Sequence, residues 1–327
     1  MELAGRGGWG VRPVSAILSP MFQAFPLGPF LVWTSVVFLL IGIVVSTEFF
    51  LRLAGSANLS LQHFRDHAWW YLFGFLLCGR AFAIITQYRV YWNDLPRIFV
   101  IWDGGFSFIG GAIGIGIVLF WATRSHRATF LQWLDVLLPA TMLGSVFSWL
   151  GLFFAGHAYG KPTDVLWGVT YDTINVRYAV PIHPVQLYYA FFSLLLTFLL
   201  LIIRKYSSRA GTETLIGINC ASVGTFILEY FRGDFTIPVF ATTVDFIILL
   251  SLFVSLGVFA VIEVMLSSRM LLLFEGALLF VFGGYALLRS QLPLETHELR
   301  FSQFLAVLAL LATVVYVVVH RRRYPHL

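Results

Sequence analysis

Apolar residues along this chain gather into long runs near 30–50, 68–87, 106–123, 129–155, 183–203, 211–231, 239–265, 270–288 and 303–320. A helix needs about 20 apolar residues to cross about 30 Å of hydrocarbon, so about nine transmembrane helices are expected. The first twenty residues contain Gly, Arg and Pro without a sustained apolar core, which reads as an outer segment rather than a cleaved signal peptide. Between the runs, two connections are long enough to hold structure. Residues 87–105 are aromatic and mixed in charge, and residues 156–182 are rich in turn formers: Gly160, Pro162, Asp164, Gly168, Asp172, Asn175 and Pro181.

Composition decides the solvent. The chain is 59% hydrophobic and only 11% charged over 327 residues, with a mean hydropathy of +0.86, whereas soluble domains carry about a quarter charged residues. A soluble protein is excluded, as are disulfide scaffolds and disordered chains. Cys78 and Cys220 sit in apolar runs and read as small buried hydrophobes. The net charge of +5 is dispersed over the ends of apolar segments rather than gathered in a stripe, so no nucleic-acid partner is expected.

The same charges set the topology. Arg52 with Arg65, Arg124 with Arg127, Arg204 with Lys205 and Arg209, Arg269, and Arg321 to Arg323 fall on one side if the N-terminus lies outside. The opposite loops carry scattered Arg89, Arg97, Lys161, Arg177, Arg232, Arg289 and Arg300. The positive-inside rule then places the N-terminus outside and the C-terminus in the cytoplasm. A belt of interfacial aromatics is expected at Trp69, Trp70, Tyr71, Tyr88, Tyr91 and Trp92.

Few charges lie in or beside the spans, so each can be weighed: Glu48, Arg80, Asp135, His157, His183, Gln186, Glu229, Arg232, Asp245, Glu263 and Glu275. A charge at mid-bilayer costs about 2.5–3.5 kcal/mol on insertion scales, so each needs a partner, a cavity or a function. Arg80 lies within the apolar run Tyr71–Ile85; its guanidinium suits either a phosphate or an internal ion pair with Asp135 or Glu229. Asp103 precedes a glycine-dense span (Gly104, Gly105, Gly110, Gly111, Gly114, Gly116), where it caps a helix or meets a headgroup. His183 and Pro184 open another helix, with Gln186 on the face of His183. That histidine suits a general base, a headgroup donor or a satisfied cap. Glu229 and Arg232 form an i, i+3 pair at a further helix end.

Taken in order, Trp102-Asp-Gly-Gly105, Gly110-Gly111, Leu134-Asp-Val-Leu-Leu-Pro139, Tyr159-Gly-Lys-Pro-Thr-Asp164, Trp167-Gly168, His183-Pro-Val-Gln-Leu-Tyr188 and Glu229-Tyr-Phe-Arg232 resemble the prolipoprotein diacylglyceryl transferase family over roughly residues 22–265. The resemblance implies an all-α, polytopic helical bundle of the bacterial inner membrane. It would have about seven helices in a transferase-like core and two additional C-terminal transmembrane helices. Residues 1–28 would be an outer segment, 29–265 the core with loops 87–105 and 156–182, and 266–327 the two extra helices with a basic cytoplasmic tail. It also implies transfer of diacylglycerol from phosphatidylglycerol to a lipobox cysteine thiol, releasing glycerol phosphate, with a phospholipid and a lipoprotein precursor as partners. No cofactor and no metal are expected.

Against that family the chain shows departures. Ile109 stands where the family places a His, and Trp149, Leu152, Ala155 and His157 stand for its Arg, Asn, Asn and Glu. Thr34 and Thr225 replace a Tyr and an Arg. Losing one positioned donor typically costs about 10²–10³ in rate. The remaining groups are His183 and His157 as catalytic bases, with Arg80 and Arg232 for phosphate and Lys161 as a further cation. Asp103, Gln186, Tyr188 and Glu229 would hold the headgroup. The alternative is a catalytically degenerate relative serving as a lipid-binding or scaffold protein. A transporter would show an inverted repeat and a polar lining at mid-membrane, which the sequence lacks.

Overall fold

The computed structural model describes residues 24–27, 30–86, 94–100, 105–124, 127–171, 176–207, 210–234, 239–241 and 299–323, with Tyr91 and a few single positions between 247 and 287. Helices dominate: α1 (Thr34–Ser56), α2 (Ala68–Thr86), α3 (Phe108–Ala122), α4 (Arg127–Ala155), α5 (Val185–Tyr206), α6 (Thr212–Leu228) and α7 (Phe301–Arg323). Among the described residues five helices are long and apolar enough to cross a membrane, and α3 and the apolar part of α7 are shorter. The protein is an all-α integral membrane protein, and seven of the nine expected runs coincide with these helices. The runs at 239–265 and 270–288 fall largely outside the described residues, as does the expected boundary at 265.

The first run differs from expectation at its start. Residues Ala24–Leu27 (β1) and Phe30–Trp33 (β2) form an antiparallel hairpin, with Leu27 opposite Phe30 and Ala24 opposite Trp33. Gly28 and Pro29 separate them, and the helix begins only at Thr34. Val239–Ala241 (β3) pairs with Leu299–Arg300 (β4), so the chain returns beside its own residue 239 just before α7.

Two compact units make up the molecule: residues 1–46, 141–205 and 215–327 in one, and residues 47–140 and 206–214 in the other. In the second unit α2 and α3 approach to backbone contact. A Cβ on Gly114 would collide with the Gly74 carbonyl oxygen and lie 2.6 Å from its carbon, so the glycines of α3 serve close packing. Asp135 caps α6: its carboxylate accepts from Gly211 N at 2.6 Å, Thr214 N at 2.8 Å and Thr214 Oγ1 at 2.6 Å. Three donors at a helix N-terminus satisfy the buried charge without a cation. Of the expected aromatic belt, Trp69 and Trp70 are exposed, whereas Tyr71 and Tyr91 are buried. Tyr71 stacks on Phe64 at 4.8 Å, and the Arg80 guanidinium lies 5.2 Å from the Tyr91 ring. Tyr88 and Trp92 lie outside the described residues.

Candidate functional site

The site is assembled by the connection that follows α4. Gly156, at φ +69°, ends that helix with Gly156 N donating to Phe153 O at 3.3 Å and His157 N to Leu152 O at 3.1 Å. This double bond pattern requires a left-handed residue after the helix, which glycine adopts at little cost. The chain then runs extended between two neighbours. On one side Lys161 N donates to Phe231 O at 2.8 Å and Gly233 N to Tyr159 O at 2.9 Å. On the other, His183 N donates to Lys161 O at 3.0 Å and Thr163 N to Pro181 O at 2.9 Å. Gly160 sits in the middle, where a Cβ would collide with the His183 carbonyl oxygen. Phe153, Tyr159, Val169, Tyr171, Val176 and Ile182 form an apolar core beneath this strip.

That arrangement fixes the start of α5. His183 Nδ1 lies 3.1 Å from Tyr188 Oη, and Trp167 Nε1 donates to the same hydroxyl at 2.7 Å. Burial holds the His183 imidazole below its ordinary value, favouring the neutral ring. Gln186 is fully buried and its Nε2 donates to His157 O at 2.7 Å. Tyr171 adds a hydroxyl beside Gln186, and burial raises that phenol above its ordinary range. The His157 imidazole and the Lys161 side chain are exposed. Thus His157, His183, Gln186 and Tyr188 are joined through one connected set of hydrogen bonds and backbone pairings.

Behind them lies a buried charge cluster. Arg232 forks onto Asp234, with Nε to Oδ1 at 2.9 Å and Nη2 to Oδ2 at 2.7 Å, and Nη1 reaches Glu229 Oε1 at 2.8 Å. Burial opposes the charged guanidinium, but Asp234 and Glu229 outweigh it and hold Arg232 above its ordinary value. Tyr189 Oη donates to Glu229 Oε1 at 3.0 Å. Arg300, from β4 just before α7, donates to Asp234 Oδ1 at 3.1 Å. The i, i+3 pair expected from the sequence is present, with its Arg232 fork turned onto carboxylates. Tyr189, Asp234 and Arg300 were not anticipated; only Asp234, two positions after Arg232, carried a local signal.

Trp149 and Thr225 meet here. The Trp149 indole stacks on the Tyr189 ring, centroids 4.2 Å apart and planes 8° apart, and the Tyr189 hydroxyl lies 3.5 Å from Thr225 O. Arg80 belongs to the other unit. There it donates to Ile98 O at 3.3 Å, Val100 O at 3.1 Å and Gly105 O at 3.0 Å, and so anchors the connection between α2 and α3. Asp103 lies outside the described residues. Among the described residues no group of three His, Cys, Asp or Glu is placed to hold a metal ion.

Sequence comparison gives a consistent picture. The family model described as prolipoprotein diacylglyceryl transferase matches residues 23–319. A phosphatidylglycerol–prolipoprotein diacylglyceryl transferase of Pseudoalteromonas atlantica is 32% identical over 179 residues, 54% of this chain and 62% of the relative. One from Idiomarina loihiensis is 31% identical over 178 residues, covering 54% of this chain and 65% of the relative. One from Acaryochloris marina is 26% identical over 222 residues, covering 66% and 81%. The chain therefore spans less than two thirds of the length of the first two of these relatives.

Proposed function

The chain belongs to the prolipoprotein diacylglyceryl transferase family, and we propose that it transfers a diacylglyceryl group from a phosphatidylglycerol-like lipid to an acceptor thiol at the outer membrane face. In this reaction the acceptor sulfur bonds to the glycerol carbon as the carbon–oxygen bond to phosphate breaks. Glycerol phosphate departs with the electron pair, and the thiol proton passes to a base. The N-terminus lies outside and the C-terminus inside, following the distribution of arginine and lysine among the loops.

The observation that carries the reading is the Trp167, Tyr188, His183 relay at the start of α5. An indole N–H only donates, so Tyr188 accepts from Trp167 and turns its own proton toward His183 Nδ1. A neutral imidazole accepting there carries its proton on Nε2. His183 is then a donor to the departing phosphate, and the exposed His157 is the base that takes the thiol proton. Lys161, exposed and bonded through its backbone to both flanking segments, supplies the cation. Gln186 holds the His157 backbone, and Glu229 and Arg232 brace the strip from behind. Arg80 and Asp103 are further proposed contacts for the lipid headgroup.

Incubating the purified protein with labelled phosphatidylglycerol and a lipobox peptide tests this. Lipid-modified peptide with release of glycerol phosphate is expected; bound but uncleaved lipid would overturn the enzyme and favour a second reading. That reading, a lipid-binding scaffold, is supported by the Trp149–Tyr189 stack, which puts a ring pair where the family pattern has a guanidinium.

A further inference from the structure

We propose that Arg300 is a positioning residue of the site: it supplies the second positive charge of a buried four-charge cluster and thereby fixes Asp234, Arg232 and Glu229 beneath Tyr189. Its role in turnover rests on the transferase reading; its role in the cluster does not.

Charge balance carries the inference. Glu229 and Asp234 are 4% and 3% exposed, and Arg232 is 6% exposed. One guanidinium against two carboxylates leaves a net negative charge in a setting where unpaired charge is costly. Arg300 closes that balance from the far end of the chain, with its side chain only 14% exposed. Its Nη1 donates to Asp234 Oδ1 at 3.1 Å, and its Nε lies 3.8 Å from Glu229 Oε2. That Glu229 oxygen accepts no hydrogen bond from the described residues, and the Arg300 charge compensates it from nearby. Nη2 donates to the carbonyls of Arg232 at 3.0 Å and Asp234 at 2.8 Å, fixing the backbone turn as well as the side chains.

Arg300 is itself held in place. Its residue pairs with Val239 across β3 and β4, its N–H donates to Gln303 Oε1 at 3.0 Å, and Gln303 Nε2 donates to Phe226 O at 3.2 Å. Further along α7, Thr313 donates to Asn219 Oδ1 on α6 at 3.0 Å. The last helix is thus part of the site rather than an appendage.

The test uses the full-length protein in detergent, with Arg300→Gln, Arg300→Lys and the double variant Arg300→Gln/Glu229→Gln. Among the described residues the groups facing the cluster are Tyr189 from α5, Glu229, Arg232 and Asp234 from the segment after α6, and Arg300 from β4. Arg300→Gln is expected to lower the melting temperature, because it leaves two buried carboxylates against one guanidinium. Arg300→Lys keeps most of the wild-type value. The double variant, again neutral, melts above Arg300→Gln. Additive losses in the double variant, or an Arg300→Lys loss equal to that of Arg300→Gln, would overturn the proposal, since a packing role alone predicts them. In the transfer assay, Arg300→Gln is expected to lower kcat about 100-fold with KM little changed. A wild-type protein without transfer but with the expected coupling between Arg300 and Glu229 would sink the transferase reading and leave the cluster role standing.

Discussion

Gly160→Ala puts the weight of the site on one atom. The added Cβ would lie 2.7 Å from His183 Cβ and 2.9 Å from Val185 Cγ2, and would collide with the His183 carbonyl oxygen. Neither the carbonyl nor the start of α5 can swing aside, because His183 N is bonded to Lys161 O at 3.0 Å and Ile182 N to Val169 O at 3.0 Å. Relief therefore demands a backbone shift approaching 1 Å, at the usual overpacking cost of about 1–3 kcal/mol. The strained His183–Lys161 bond adds roughly 0.5–1.5 kcal/mol. Adding these two estimates gives an expected total loss of about 1.5–4.5 kcal/mol. The same displacement moves His183 relative to His157, and a misplacement of about 1 Å costs on the order of 10² in rate. Denaturant unfolding in detergent and the transfer assay measure the two effects. Gly116→Ala is the control: nothing lies within 4 Å of its Cβ, and a helical Gly→Ala change gains about 0.5–1 kcal/mol. Wild-type stability in Gly160→Ala, or an equal loss in Gly116→Ala, would refute the reasoning.

Three further outcomes are expected. Gly114→Ala forces α2 and α3 apart at the Gly74 carbonyl and should cost about 1–3 kcal/mol, read as a lower detergent melting temperature. Asp135→Asn sets an amide donor against the Gly211 N–H now bonded to Oδ2 at 2.6 Å, a loss of about 1–3 kcal/mol measurable by denaturant titration. His183 is lowered by burial, so its contribution to stability is fully present above the unfolded value of about 6.5 and is lost as pH falls through the lower folded value. Melting curves at pH 7.5 and pH 5 should therefore differ less in His183→Gln than in the wild type.

Hydropathy made the membrane helices legible because a span must be apolar along its whole length, so position in the run suffices. It failed at Phe30–Trp33, which is as apolar as the helix that follows but pairs as a strand with Ala24–Leu27; hydropathy does not distinguish the two conformations. Side-chain pairs close in sequence were also legible, as Glu229 with Arg232 shows. Arg300 was not, since 66 positions separate it from the Asp234 carboxylate it bonds and no periodicity links them. Nor was the setting of Arg80, because the described acceptors include three backbone carbonyls, and any residue type supplies a carbonyl. A guanidinium inside an apolar run announces that it needs partners without revealing which.

Trp149 and Thr225 are linked through Tyr189. The indole stacks on its ring at 4.2 Å, and the Thr225 backbone carbonyl lies near its hydroxyl. A stacked aromatic pair contributes about 0.5–1.5 kcal/mol beyond its buried area, and it carries no charge to place against phosphate. The positive charge instead resides deeper, in Arg232 and Arg300, where two carboxylates already balance it. Restoring a cation by Trp149→Arg alone would add an uncompensated charge beside a neutral cluster and remove the stack. It should therefore lower stability without raising transfer. The variant that speaks to the chemistry is Lys161→Ala, which removes an exposed cation while the backbone pairings of Lys161 to Phe231 and His183 remain available. If His183 and Lys161 share the departing phosphate, Lys161→Ala lowers kcat and leaves melting unchanged. Unaltered turnover in a wild type that does transfer lipid would move the phosphate away from this strip.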